Sequence, residues 1–120
     1  MNILLVSDDP WIRDSLSLFL QTTGTRFHLC KYAREGMETM NTKPFDMIIC
    51  EYWLPDLDGL SFLNIAGYAQ SQARRVLITG YPTQDVATEA TASGTIDFVV
   101  KPFVFDYMEK LRLELTNKSA

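Results

Sequence analysis

Acids, a hydroxyl and an amine close four separate apolar runs of this sequence. Asp8 and Asp9 follow Ile3-Leu4-Leu5-Val6, Glu51 follows Met47-Ile48-Ile49-Cys50, Thr79 follows Val76-Leu77-Ile78, and Lys101 follows Ile96 to Val100. Such a set suits divalent-metal and phosphoryl chemistry: carboxylates hold Mg²⁺ as hard oxygen ligands, while a hydroxyl and an ammonium meet phosphoryl oxygens. A single polar group at the end of an apolar run means little, because loops are polar anyway. Four such groups on four runs mark an edge where function is expected. The lone histidine, His28, reads as a surface residue of an edge strand, and no His or Cys cluster with zinc-ligand spacing exists. Cys30 and Cys50 lie in apolar runs and read as buried, reduced thiols.

The elements that must position these groups alternate. The run through Val6 reads as a strand, and Pro10 suits the first turn of a helix over Trp11 to Thr22, with Ile12, Leu16, Phe19 and Leu20 inward and Gly24 as its stop. Phe27 to Tyr32 predicts a second strand, at an edge because it carries His28 and Lys31. Ala33 to Asn41 predicts a helix with Met37 and Met40 inward. Met47 to Cys50, bounded by turn residues, reads as a strand buried on both faces. Pro55 and Asp58-Gly59 turn the chain into a helix from Leu60 to about Ala69. A strand ending at Thr79, a thin-striped helix over Thr83 to Ser93 and a strand over Ile96 to Val100 follow. The last helix carries Tyr107, Leu111 and Leu115. Arg74-Arg75 reads as a solvated pair.

Five strands alternating with five helices, the central strands apolar throughout, predict a parallel sheet covered on both faces. At 120 residues, 47% apolar and 22% charged, the chain makes one soluble domain, residues 1–120. A net charge of −4 without a basic cluster argues against direct nucleic-acid binding. No apolar run approaches the ~20 residues of a membrane span, and the N-terminus lacks a basic leader, so a cytoplasmic location is expected.

Across nearly its whole length the sequence resembles the receiver domain of two-component response regulators. The resemblance is carried by Ile3 to Pro10, Phe45-Asp46 through Leu54-Pro55 and Asp58-Gly59, Ile78-Thr79-Gly80-Tyr81, and Gly94 through Asp97-Phe98 to Lys101-Pro102-Phe103. It implies a (βα)5 flavodoxin-like fold with strand order 2-1-3-4-5. It also implies an acceptor position at Glu51 for a phosphoryl group from a histidine kinase, with Thr79 and Lys101 contacting that group. By the same resemblance Phe98 is an aromatic switch partner of Thr79, and Mg²⁺ falls to Asp8, Glu51 and the Trp53 backbone carbonyl. The helix 4, strand 5 and helix 5 face, bordered by Phe98 and Tyr107, is where such domains dimerise or meet partners.

Two positions depart from the family pattern: Glu51 stands where an aspartate is expected, and Ser7 where the first metal-site acid is expected. The additional methylene pushes the carboxylate outward, and a misplacement of about 1 Å can cost roughly a hundredfold in an in-line transfer. Ser7 removes a negative charge, leaving Asp8 to hold Mg²⁺ weakly, while Asp9 matches a position that is seldom a direct ligand. Glu51 either imitates the phosphorylated state or pairs with Lys101 and locks one conformation. The leading expectation is a non-enzymatic signalling module that works by phosphorylation-independent protein contact, with a histidine kinase or effector domain as partner. The alternatives are a receiver with slow Mg²⁺-dependent phosphorylation and a flavodoxin-like cofactor binder. Ser7-Asp8-Asp9-Pro10 disfavours the last, because bare acids repel phosphate. The exposed aromatics Trp53 and Tyr81 flank the expected site as partner contacts or loop packing.

Overall fold

A computed structural model describes residues 2–20, 24–80, 96–101, 106–107, 109–110 and 113–114, with the backbone alone for 17–20. It holds strands β1 (Asn2–Val6), β2 (Arg26–Cys30), β3 (Met47–Glu51), β4 (Arg74–Thr79) and β5 (Ile96–Val100). The helices are α1 (Pro10–Leu20), α2 (Ala33–Met40) and α3 (Gly59–Ala69). The strands form one parallel sheet in the order β2-β1-β3-β4-β5. The expected order and strand count therefore hold.

Of five expected helices, three stand whole among the described residues. The helix expected over 83–93 lies outside them, as do Tyr81, Leu111 and Leu115, and the last helix is seen at 106–107, 109–110 and 113–114. The second strand ends two residues earlier than Tyr32, because Tyr32 already serves as the N-cap of α2.

The period-two alternation of the strands divides the core. Leu4, Val6, Ile48, Cys50 and Leu77 face Phe62, Leu63, Ala66 and Met40 of α3 and α2. Ile3, Leu5, Met47, Ile49, Val76, Ile78 and Val99 face Ile12 and Leu16 of α1. Strands buried on both faces must be apolar throughout, which is why β1 and β3 read as unbroken apolar runs. β2, at the sheet's edge, keeps Arg26, His28 and Leu29 exposed, and His28 meets Lys43 and the edge of the Phe45 ring there. Both cysteines are free and buried, Cys30 on that edge strand and Cys50 in the centre.

The two arginines at the start of β4 are more than a solvated pair: Arg74 is exposed and Arg75 half-buried, and both have partners. Arg74 bonds Asp97 of β5 at 3.0 Å and Glu114 of the last helix at 3.2 Å, and lies over the Tyr107 ring. Arg75 donates to the Leu63 carbonyl at 2.8 Å. A strand start beside a helix offers carboxylates and carbonyls that linear sequence does not reveal.

Candidate functional site

Parallel pairing brings the ends of β1, β3, β4 and β5 to one edge, and a recess of about 500 Å³ opens there. Asp8, Asp9, Glu51, Trp53, Thr79 and Lys101 all line it. Ser7 lies beneath, fully buried, its hydroxyl donating to Glu51 Oε2 at 2.8 Å and accepting from the Asp9 amide at 3.1 Å. Glu51 is 5% exposed and Thr79 2%, so both are shielded polar groups.

Lys101 extends into this recess. Its ammonium pairs with Glu51 Oε1 and with Asp9 Oδ2, the latter at 3.0 Å. Burial alone would lower the lysine pKa, but the bonds to Glu51 and Asp9 outweigh it and raise it above its ordinary value. Asp9 shows the mirror effect. Burial works to raise its pKa, yet the Lys101 bond and the amides of Trp11 and Ile12 prevail and hold it below the usual carboxylate value. Each oxygen of Glu51 thus has a partner, one a hydroxyl and the other an ammonium. Asp8 is the exposed acid of the group.

The loop after β3 is shaped by its own backbone. The Gly59 amide bonds the Tyr52 carbonyl at 2.7 Å, and Trp53 bridges Asp58. A Cβ on Gly59 would stand 2.0 Å from the Glu51 carbonyl oxygen, so this close approach requires glycine. Asp58 then caps α3, accepting from the Ser61 amide at 2.8 Å. Trp53 is left 66% exposed at the rim, with Tyr52 edge-on beside it. Phe98 lies on β5 opposite Leu77, while Thr79 pairs with Val100, so Phe98 and Thr79 are diagonal neighbours on one sheet face. Burial raises the Cys50 thiol far above its ordinary pKa, with Glu51 adding to the effect, so the thiol stays protonated beneath the site.

Sequence reading placed these groups at one edge but missed two bonds. Ser7 registers in the sequence as a missing acid, whereas in the structure it is the buried partner of Glu51. Asp9, at a position that the resemblance makes seldom a direct metal ligand, is the second anchor of Lys101.

Residues 3–112 match the family model described as the response regulator receiver domain. The chain belongs to that family. This receiver is 30% identical to the transcriptional regulatory protein ZraR of Klebsiella oxytoca, over the whole of this chain but 26% of ZraR. It is 29% identical to the response regulator protein PilR of Pseudomonas aeruginosa, over 98% of this chain and 27% of PilR. The receiver thus spans about a quarter of the length of these relatives. Among solved structures, a CheY-like receiver from Methanospirillum hungatei is similar at TM-score 0.84 and 25% identity, covering 98% of this chain and 95% of that one. The beryllofluoride-activated NtrC4 receiver dimer is similar at TM-score 0.84 and 26% identity, covering 99% and 98%. No helix among the described residues is long and apolar enough to cross a membrane.

Proposed function

We propose that this receiver signals by protein contact without being phosphorylated, Glu51 standing at the acceptor position and Ser7 in place of the first metal-site acid. The observation that carries the reading is the double occupancy of Glu51: Ser7 donates to one oxygen and Lys101 pairs with the other. An acceptor must present an oxygen to the incoming phosphorus, and here each Glu51 oxygen already holds a partner that attack would have to share or displace. The pairing with Lys101 favours a fixed conformation over a charge that imitates the phosphorylated state.

The donor set also fits Mg²⁺ poorly. A dication needs carboxylate oxygens, yet each Glu51 oxygen already has a partner, Asp9 is held by Lys101 and the Trp11 amide, and Ser7 contributes a neutral hydroxyl. Asp8 and the Trp53 carbonyl are the donors that remain, which supports weak binding at most.

On this reading the protein is a non-enzymatic, cytoplasmic module with protein partners. They are a histidine kinase, or an effector domain in the same longer chain, as the lengths of ZraR and PilR suggest. A homodimer through β5 and its flanking helices is the self-association the NtrC4 receiver dimer supports, and Phe98 and Tyr107 line a shallow groove on that side. Direct binding to nucleic acid is not part of the proposal.

The test is tryptophan fluorescence during titration with Mg²⁺ and then beryllofluoride, with Trp53 reporting from the rim and Trp11 as background. We expect no saturable response in the natural chain and a restored response in Ser7→Asp/Glu51→Asp. A saturable response in the natural chain would overturn the proposal and favour slow phosphorylation at Glu51.

A further inference from the structure

We propose that Asp56 is a positioning residue that couples the Glu51 recess to the first turn of α2. The first amides of any helix lack intrahelical partners, and a side-chain oxygen at the N-cap ordinarily serves them. Tyr32 occupies the N-cap of α2 and makes no side-chain cap bond. The service comes from another segment. Asp56 Oδ1 accepts from the Ala33 amide and Oδ2 from the Arg34 amide, both at 2.9 Å, across 23 and 22 residues of sequence. Glu35 closes the same turn by accepting from the Tyr32 amide at 3.2 Å.

This bidentate grip is charge-assisted and lies along the favourable end of the helix dipole. Burial opposes ionisation of Asp56, but the Arg34 and Ala33 amides and the Arg34 charge prevail, holding its pKa below the ordinary value. The grip is thus made with the ionised carboxylate at neutral pH.

What makes Asp56 more than a cap is the loop that carries it. Residues 52–58 are pinched at their base by the Gly59–Tyr52 bond and the Trp53–Asp58 bridge. Tyr52, Leu54 and Leu57 pack against the core shared by α2 and α3. The base of this closed loop continues directly from Glu51 and carries Trp53 at the recess; its tip carries Asp56 on α2. Between base and tip the loop is held by Leu54 and Leu57 on that core and by the two Asp56 bonds, which leaves it little room to absorb a displacement. Movement at Glu51 is therefore delivered to the Ala33 and Arg34 amides.

The inference rests on the recess being the functional edge, and not on whether Glu51 is phosphorylated. Its test is a double-mutant cycle, read by residue-resolved amide hydrogen exchange at Ala33 and Arg34, with global stability measured alongside. Glu51→Gln perturbs the base and Asp56→Asn the tip; Ser7→Ala replaces the first variant if Glu51→Gln does not fold. We expect the base variant to speed exchange at both amides about tenfold while Asp56 is present, and hardly at all in the Asp56→Asn background. A simple capping role would also speed exchange on Asp56→Asn, but the two effects would then add. Additive effects, or no effect of the base variants on the two amides, would overturn the proposal. The fluorescence titration above is independent of this cycle, so either reading can fail alone.

Discussion

At the scale of single residues, the site is a buried charge arrangement whose parts depend on one another. Lys101→Met leaves Glu51 with Ser7 as its one partner, and stranding a buried carboxylate in this way costs on the order of 3 kcal/mol. Urea denaturation should show that loss, and Glu51→Gln combined with Lys101→Met should recover much of it, because the buried carboxylate is then neutral and the acid that still loses its ion pair, Asp9, is partly exposed. The pH dependence follows from the two shifted groups. Asp9 is depressed in the fold, so its contribution is present above the ordinary value of 3.8 and lost as pH falls through its lower folded value. Lys101 is raised, so its contribution is present below 10.5 and lost as pH rises through its higher folded value. The Asp9–Lys101 pair should thus persist from about pH 4 to about pH 10, visible as constant NMR shifts of Lys101 Nζ across that range. The polar groups at the strand ends were legible in the sequence because apolar runs stop where strands stop. The hydroxyl of Ser7 was not, since sequence spacing says which strand a residue ends but not which side chain it touches 44 positions away.

At the scale of elements, the turn from β3 into α3 is where backbone geometry decides most. The 2.0 Å separation of a Gly59 Cβ from the Glu51 carbonyl oxygen leaves no flexible side chain to give way. Gly59→Ala should cost about 2 kcal/mol and shift the Tyr52 and Trp53 resonances, checked by chemical denaturation and amide spectra. Strand positions were legible to within two residues because both faces of β1, β3 and β4 are buried. The origin of α2 was less so. Tyr32 is a poor capping residue, and a helix lacking a local cap with an acid just after Pro55 in another loop is a faint signal. It becomes readable when the two segments are known to meet.

For the whole molecule, the parallel sheet and the covering of both faces followed from alternating apolar runs, whereas the strand order was what the family resemblance implied. The anchoring of the last helix followed from neither. Arg74 joins β4, Asp97 of β5 and Glu114 of that helix, and the Tyr107 hydroxyl bonds the same Asp97 at 3.3 Å. Burial pushes the Tyr107 phenol far above its ordinary pKa despite the opposing Arg74 charge, so it stays protonated through the neutral range. These ion pairs are roughly half exposed, with 42% and 44% for Arg74 and Asp97. Arg74→Met should therefore lower stability by less than about 1 kcal/mol, and added salt should shrink the difference.

The two thiols sit at different depths of one sheet, Cys30 on its edge and Cys50 at its centre. The protein therefore carries a pair of clocks that need no label. Peeling β2 away exposes Cys30, whereas Cys50 meets a thiol reagent when the central strands part. The ratio of their alkylation rates would report how much of the molecule opens as one unit.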